Sequence, residues 1–115
     1  LAQLLLNIAL NGVQAMAPGG GGTLTFSLGT ERSGGKEYVR MSVGNTGPPI
    51  PEENLERIFD PFYTTKDGGT GLGLSICSRI ADDHVGTLAV RNLPAGGGVE
   101  FSLALPVAEG MDAGR

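Results

Sequence analysis

A chain of 115 residues, 40% of them apolar, can bury one core and is too short to divide into two domains. Its net charge of −4, with no run of basic residues, argues against a nucleic-acid partner. No apolar run approaches the roughly 18 residues that span a bilayer and none reads as a signal peptide, so this domain is expected to be cytoplasmic and to make no membrane contact, which leaves open a membrane anchor elsewhere in the parent protein. The single cysteine, Cys77, cannot close an internal disulfide and reads as a small core residue in a reducing compartment. The chain opens on Leu1, inside an apolar helical pattern, which suggests a fragment of a longer protein.

Leu1 to Ala17 has the pattern of a helix that is apolar nearly all round and therefore largely buried. Gln3, Asn7, Asn11 and Gln14 interrupt it at spacings of four, four and three, which puts them on one face. Amides on a buried helix need partners. They either bond to neighbouring backbone or line a ligand cavity, where an amide oxygen suits a hard cation such as Mg²⁺. Pro18 and Gly19 to Gly22 end the helix. Thr23 to Leu28 alternates as a strand with Leu24, Phe26 and Leu28 on one face; Gly29 to Gly35 reads as a turn, and Tyr38 to Val43 as the returning strand with Val39, Met41 and Val43 inward. Gly44 to Pro51 is rich in turn formers, and Glu52 to Phe59 fits a short helix with acidic residues in its first turn.

An aromatic loop, Phe59 to Lys66, leads into Gly68-Gly69-Thr70-Gly71-Leu72-Gly73, where four of six residues are glycine. Leu72, Ile76 and Ile80, flanked by Cys77 and Ala81, then mark a helix running to about His84 and closed by Val85-Gly86. A loop without side chains that enters a helix N-terminus is suited to an anion such as phosphate. The run is neither a P-loop nor a dinucleotide fingerprint, and taken alone it also fits a mobile loop before a surface helix. Thr87 to Arg91 and Val99 to Leu105 are two further strands, joined by the turn Asn92 to Gly98, and 108–115 reads as a disordered tail after a domain spanning 1–107. The order α-β-β-α-α-β-β pairs strands as hairpins. It predicts an α+β, two-layer sandwich: a mixed, mostly antiparallel sheet with helices on one face.

Four stretches resemble the signature boxes of one family in order and spacing. Leu6-Asn7-Ile8-x-x-Asn11-Gly12 resembles the N box of sensor histidine kinases. Val43-x-Asn45-Thr46-Gly47-Pro48-Pro49-Ile50-Pro51 resembles the G1 box, Phe59-Asp60-Pro61-Phe62-Tyr63-Thr64-Thr65-Lys66 the F box, and Gly69-Thr70-Gly71-Leu72-Gly73-Leu74-Ser75 the G2 box. Covering Leu1 to about Pro106, the chain is similar to the catalytic ATP-binding domain of a two-component histidine kinase, the Bergerat fold shared with gyrase B and heat-shock chaperone ATPases.

That resemblance implies Mg-ATP as the ligand and transfer of its γ-phosphoryl group to a histidine. The phosphoacceptor and dimerisation domain would lie elsewhere in the same protein, with a response-regulator receiver domain downstream, and this fragment alone would not autophosphorylate. Asn7, Asn11 and Lys66 would carry catalytic roles, with Asn11 the metal ligand. Nucleotide contacts would come from Asn7, Asn11, Asn45, Gly47, Pro49, Ile50, Phe59, Lys66, Thr70, Gly71, Leu72, Gly73 and Val99, with Pro61 to Thr70 as the ATP lid. Asn45 would meet the adenine amino group. ATP-hydrolysing relatives place a glutamate general base where Asn7 stands; an amide cannot take a proton at neutral pH, which disfavours hydrolysis. Asn45 replaces the family's aspartate, Pro49 a glycine, Val99 a threonine and Gly12 an alanine. The first three of these changes crowd the adenine end while the phosphate end is intact, so a degenerate domain acting as scaffold or regulator is the alternative. His84, in a segment similar to the family's His-Gly-Gly helix stop, reads as structural. The strand that usually precedes the N-box helix has no counterpart among these residues, so a sheet edge is expected to lie uncovered.

Overall fold

Apolar residues at four-residue spacing generate the first helix, and the computed structural model, which describes residues 1–60 and 73–107, shows what that spacing buries. Helix α1 spans Ala2–Met16 and buries Leu4, Ile8, Gly12 and Met16, one residue per turn. It is one-sided rather than buried all round: Leu6, Leu10 and Val13 are 58%, 48% and 48% exposed on the opposite face. Gly12 does not break the helix. A Cβ there would meet Leu24 Cδ2 at 2.9 Å and Asn45 Cβ at 3.2 Å, so the missing side chain lets α1 lie close against the sheet.

Strands β1 (Leu24–Ser33) and β2 (Lys36–Asn45) form a hairpin closed at Gly34 and Gly35, both at positive φ. Each is longer than the sequence predicts. Gly29, read as the start of a turn, pairs with Arg40 inside the ladder, and Glu31 opposite Tyr38 and Arg32 opposite Glu37 continue it. Both faces of this end are solvated, so no apolar alternation marks it; the Arg40–Glu31 and Arg32–Glu37 pairs, at 3.5 and 4.0 Å, cross between the two strands. Helix α2 covers only Glu52–Leu55, short of the expected Phe59. Beyond it, Arg57 N donates to Asn54 O and Asp60 N to Arg57 O, three-residue turns in place of helical bonds.

Helix α3 runs Gly73–Asp83. Its end is closed as expected, with Gly86 N donating to Ala81 O at 2.8 Å. Val85, not Gly86, takes the left-handed turn at φ +57. Gly86 is needed for close approach instead, since a Cβ there would meet Leu105 Cδ2 at 2.8 Å and Ala104 O at 3.1 Å. Strands β3 (Thr87–Asn92) and β4 (Val99–Pro106) form the second hairpin. The sheet order is β1-β2-β4-β3, and all three described pairings are antiparallel.

Helices α1 and α3 share one face of this sheet. Leu4, Ile8, Cys77 and Ala81 from the helices meet Val43, Val99, Phe101 and Leu103 from β2 and β4, with Ile58 closing the cluster. Phe26 and Leu28 point to the same face from edge strand β1 but are 59% and 75% exposed, because α1 does not reach over them. No described helix is long and apolar enough to cross a membrane. The expected tail, 108–115, lies outside the described residues.

Candidate functional site

The amide-bearing flank of α1 faces α3. Cys77 Sγ donates to Leu4 O at 3.6 Å, and the Asn7 side chain hydrogen-bonds the same thiol, so Asn7 sits in the seam between the two helices. Asn11 lies one turn further along the same flank, half-buried. Gly73 opens α3, one turn ahead of Cys77. The helix that follows the glycine-rich run is thereby packed against the helix that carries the amides.

Burial pushes the Cys77 thiol up from 9.0 to about 11, against the lowering effect of its hydrogen bond to Asn7. The thiol is therefore a neutral packing group at pH 7 rather than a nucleophile. Because the folded value is raised, the stabilisation is complete below pH 9 and is lost as pH rises towards 11, where the unfolded chain ionises first. On raising pH from 7 to 10, the native chain should lose about 1 kcal/mol more unfolding free energy than Cys77→Ala, as measured by urea titration. Equal losses would place the thiol in contact with water.

The second half of the site is one cross-strand row on the helix-facing side of the sheet: Leu24, Asn45, Val99 and Asn92 in successive register. Asn45 is 5% exposed and Val99 3%. Gly47 N donates to Asn45 Oδ1 at 2.8 Å, closing the loop that leaves β2. A side chain on Gly47 would run into Asn45 Oδ1 at 2.9 Å and Ala15 Cβ at 3.3 Å, so this loop passes directly against α1. Thr46 fastens it from the other side, accepting from Thr23 N at 3.0 Å and donating to Met16 Sδ at 3.4 Å.

Asn92 is the residue that the sequence reading missed. Its Oδ1 accepts from Ile50 N and its Nδ2 donates to Ile50 O, both at 2.8 Å, a reciprocal clasp on the backbone of the loop. An asparagine at a strand end reads as an ordinary turn residue, and only the fold brings it opposite a segment 42 positions away. Ile50 packs against the core, whereas Pro49 is exposed. Phe59 meets Phe101 edge-to-face, with centroids 6.2 Å apart and an interplanar angle of 76°. Lys66, Thr70, Gly71 and Leu72, together with the expected lid, lie outside the described residues. His84 is exposed and its Nδ1 lies 2.9 Å from Ile80 O, a contact that finishes α3.

Along the α1–α3 seam the structure joins Asn7 to Cys77, with Asn11 one turn further on α1 and Gly73 one turn ahead on α3; at the end of the sheet Asn45 pairs with Val99 and holds Gly47, which lies against α1, and Ile50 packs on the core nearby. No group of three or more His, Cys, Asp or Glu that could hold a metal occurs among the described residues. The polar groups on offer are neutral amides, whose oxygens suit a hard cation shared with phosphate oxygens. A concavity of about 170 Å³ lies where the loop leaves β2, lined by Thr25, Ser27, Gly44 and Glu100 together with Asn45 and Thr46; it includes none of the α1 amides.

This arrangement defines a class. Residues 1–109 match the family described as "Histidine kinase-, DNA gyrase B-, and HSP90-like ATPase", and the chain belongs to that family. Within it the similarity runs to sensor histidine kinases. Sensor histidine kinase TmoS of Ectopseudomonas mendocina is 37% identical over 107 residues, which cover 93% of this chain and 11% of that protein. The nucleotide-free catalytic domain of histidine kinase ThkA superposes with a TM-score of 0.69 at 43% identity, over 90% of this chain and 64% of that one. Full-length ShkA in complex with AMPPNP superposes with a TM-score of 0.67 at 34% identity, over 90% of this chain and 20% of that one. The chain thus spans about a tenth of the length of TmoS.

Proposed function

We propose that this domain binds Mg-ATP and presents its γ-phosphoryl group to a histidine on a dimerisation domain of the same protein, for relay to a response-regulator receiver domain in the cytoplasm. The observation that carries the reading is the α1–α3 seam, where the Asn7 and Cys77 side chains join the amide-bearing helix to the helix that follows the glycine run. The AMPPNP complex of ShkA, an ATP-analogue complex of a similar chain, supports the same ligand.

In this reading Asn11 holds the metal through its side-chain oxygen. Backbone N–H groups at Gly71 and Gly73, with Lys66, balance phosphate charge, and Thr70 and Leu72 complete that end. Asn45, Gly47, Pro49, Ile50, Phe59 and Val99 enclose the base. The bound nucleotide supplies the transferable phosphoryl group; the protein contributes position and charge balance. Asn7 offers no proton acceptor for water, so the site suits transfer to a protein side chain rather than hydrolysis. The 115-residue chain alone binds without autophosphorylating.

Calorimetric titration of the chain tests this. Saturable binding of ATP that weakens when Mg²⁺ is removed is the expected result. No heat of binding at millimolar Mg-ATP would refute the proposal.

A further inference from the structure

Among the polar side chains of the site, Asn45 combines near-complete burial with a hydrogen-bonding group left over. Its amide has one acceptor oxygen and a two-hydrogen donor nitrogen. The oxygen is taken: it accepts the Gly47 N–H at 2.8 Å. This bond also fixes which way the amide faces, because the reversed amide would set an NH₂ group against the backbone N–H. Nδ2 is therefore the limb left for a ligand. It makes no hydrogen bond among the described residues, although Asn45 is only 5% exposed. Among those residues no side-chain N or O sealed from water lacks a partner, so Nδ2 keeps an opening. On the α1 side it faces bare Gly12, where a Cβ would stand 3.3 Å away.

We propose that Asn45 makes the base end of this site a hydrogen-bond donor, so that the domain takes 6-oxopurine nucleoside triphosphates in preference to ATP; this rests on reading the pocket as a purine nucleotide site. The chemistry follows from position 6 of the ring. Adenine carries an amino group there, a donor that meets Nδ2 donor to donor. Hypoxanthine and guanine carry a keto oxygen, which accepts. Leaving a nearly buried donor unmet is unfavourable, and a ligand that meets it gains that difference. An aspartate in the same place would keep the Gly47 bond, because either carboxylate oxygen accepts, while turning the free limb from donor to acceptor. Asn45→Asp thus changes the base-facing group and leaves the loop fastened.

Competition titration of ATP, ITP and GTP in the presence of Mg²⁺, on the native chain and on Asn45→Asp, tests the proposal. ITP is the cleaner probe, since it lacks the 2-amino group of GTP. The native chain should bind ITP on the order of tenfold more tightly than ATP, and the variant should reverse that order. Tighter binding of ATP than ITP by the native chain would mean that Nδ2 meets ring nitrogen N1 of adenine, and would overturn the proposal while leaving the nucleotide site intact. An ATP-to-ITP ratio unchanged in Asn45→Asp would overturn it as well. Binding of none of the three would bring down the nucleotide reading and this inference with it.

Discussion

Asn11→Ala should abolish the Mg²⁺-dependent part of nucleotide binding, weakening the dissociation constant by roughly a hundredfold, or about 3 kcal/mol. The argument is one of place and chemistry. Asn11 stands on the flank of α1 that turns towards α3, one turn beyond the Asn7 that touches Cys77. An amide oxygen is a fitting ligand for a hard cation, and alanine offers none. The residue is half-buried and outside the apolar cluster, so the helix should survive; alanine is the better helix former by about half a kcal/mol. Calorimetry with and without Mg²⁺, beside an unchanged urea midpoint, would separate lost ligation from lost fold. Full Mg²⁺-dependent affinity in the variant would move the metal away from α1.

Phe101→Ala should remove about 3–5 kcal/mol of stability, a large part of what a domain of this size possesses. Phe101 is 1% exposed at the centre of β4, with Val43 and Val90 as its partners on the neighbouring strands. Both helices press on this part of the sheet, so there is little slack with which to close the cavity. The substitution also takes away the ring on which Phe59 rests, at the head of the segment that continues into residues 61–72. Urea unfolding should show a lower midpoint with a similar slope, and Phe101→Leu should lose less than half as much. A loss under about 1 kcal/mol would mean that this ring does not occupy the core.

The parts of the fold that were legible in the sequence are those where burial imposes a period. The four-residue recurrence of Leu4, Ile8, Gly12 and Met16, and the alternation of Val39, Met41 and Val43, follow from packing on one side only. Where both faces meet water the period vanishes, so the outer half of β1 carries the signature of a turn although Gly29 to Ser33 are fully paired. Apolar content also overstated burial. Leu6, Leu10, Val13, Phe26 and Leu28 are apolar and exposed, because pattern assigns a face but does not say what covers it.

Motif spacing singled out the amides of α1 and, at the end of β2, Asn45 and Gly47, which the structure joins by a hydrogen bond. Two features of the site were hidden. The direction of the Asn45 amide depends on which group claims its oxygen, and that group, the Gly47 N–H, is set by loop geometry. The part played by Asn92 depends on strand order, which places β3 beside β4 and its end across from Ile50.

The double bond from Asn92 has a dynamic outcome. The loop that starts at Thr46 grows out of β2, yet it is tethered at Ile50 to β3, the outermost strand on the other side of β4. Breathing of that outer strand therefore carries the loop with it, and the amide proton of Ile50 can exchange with solvent only when the tether opens. The loop thus inherits the slowness or quickness of a strand with which it has no sequence continuity.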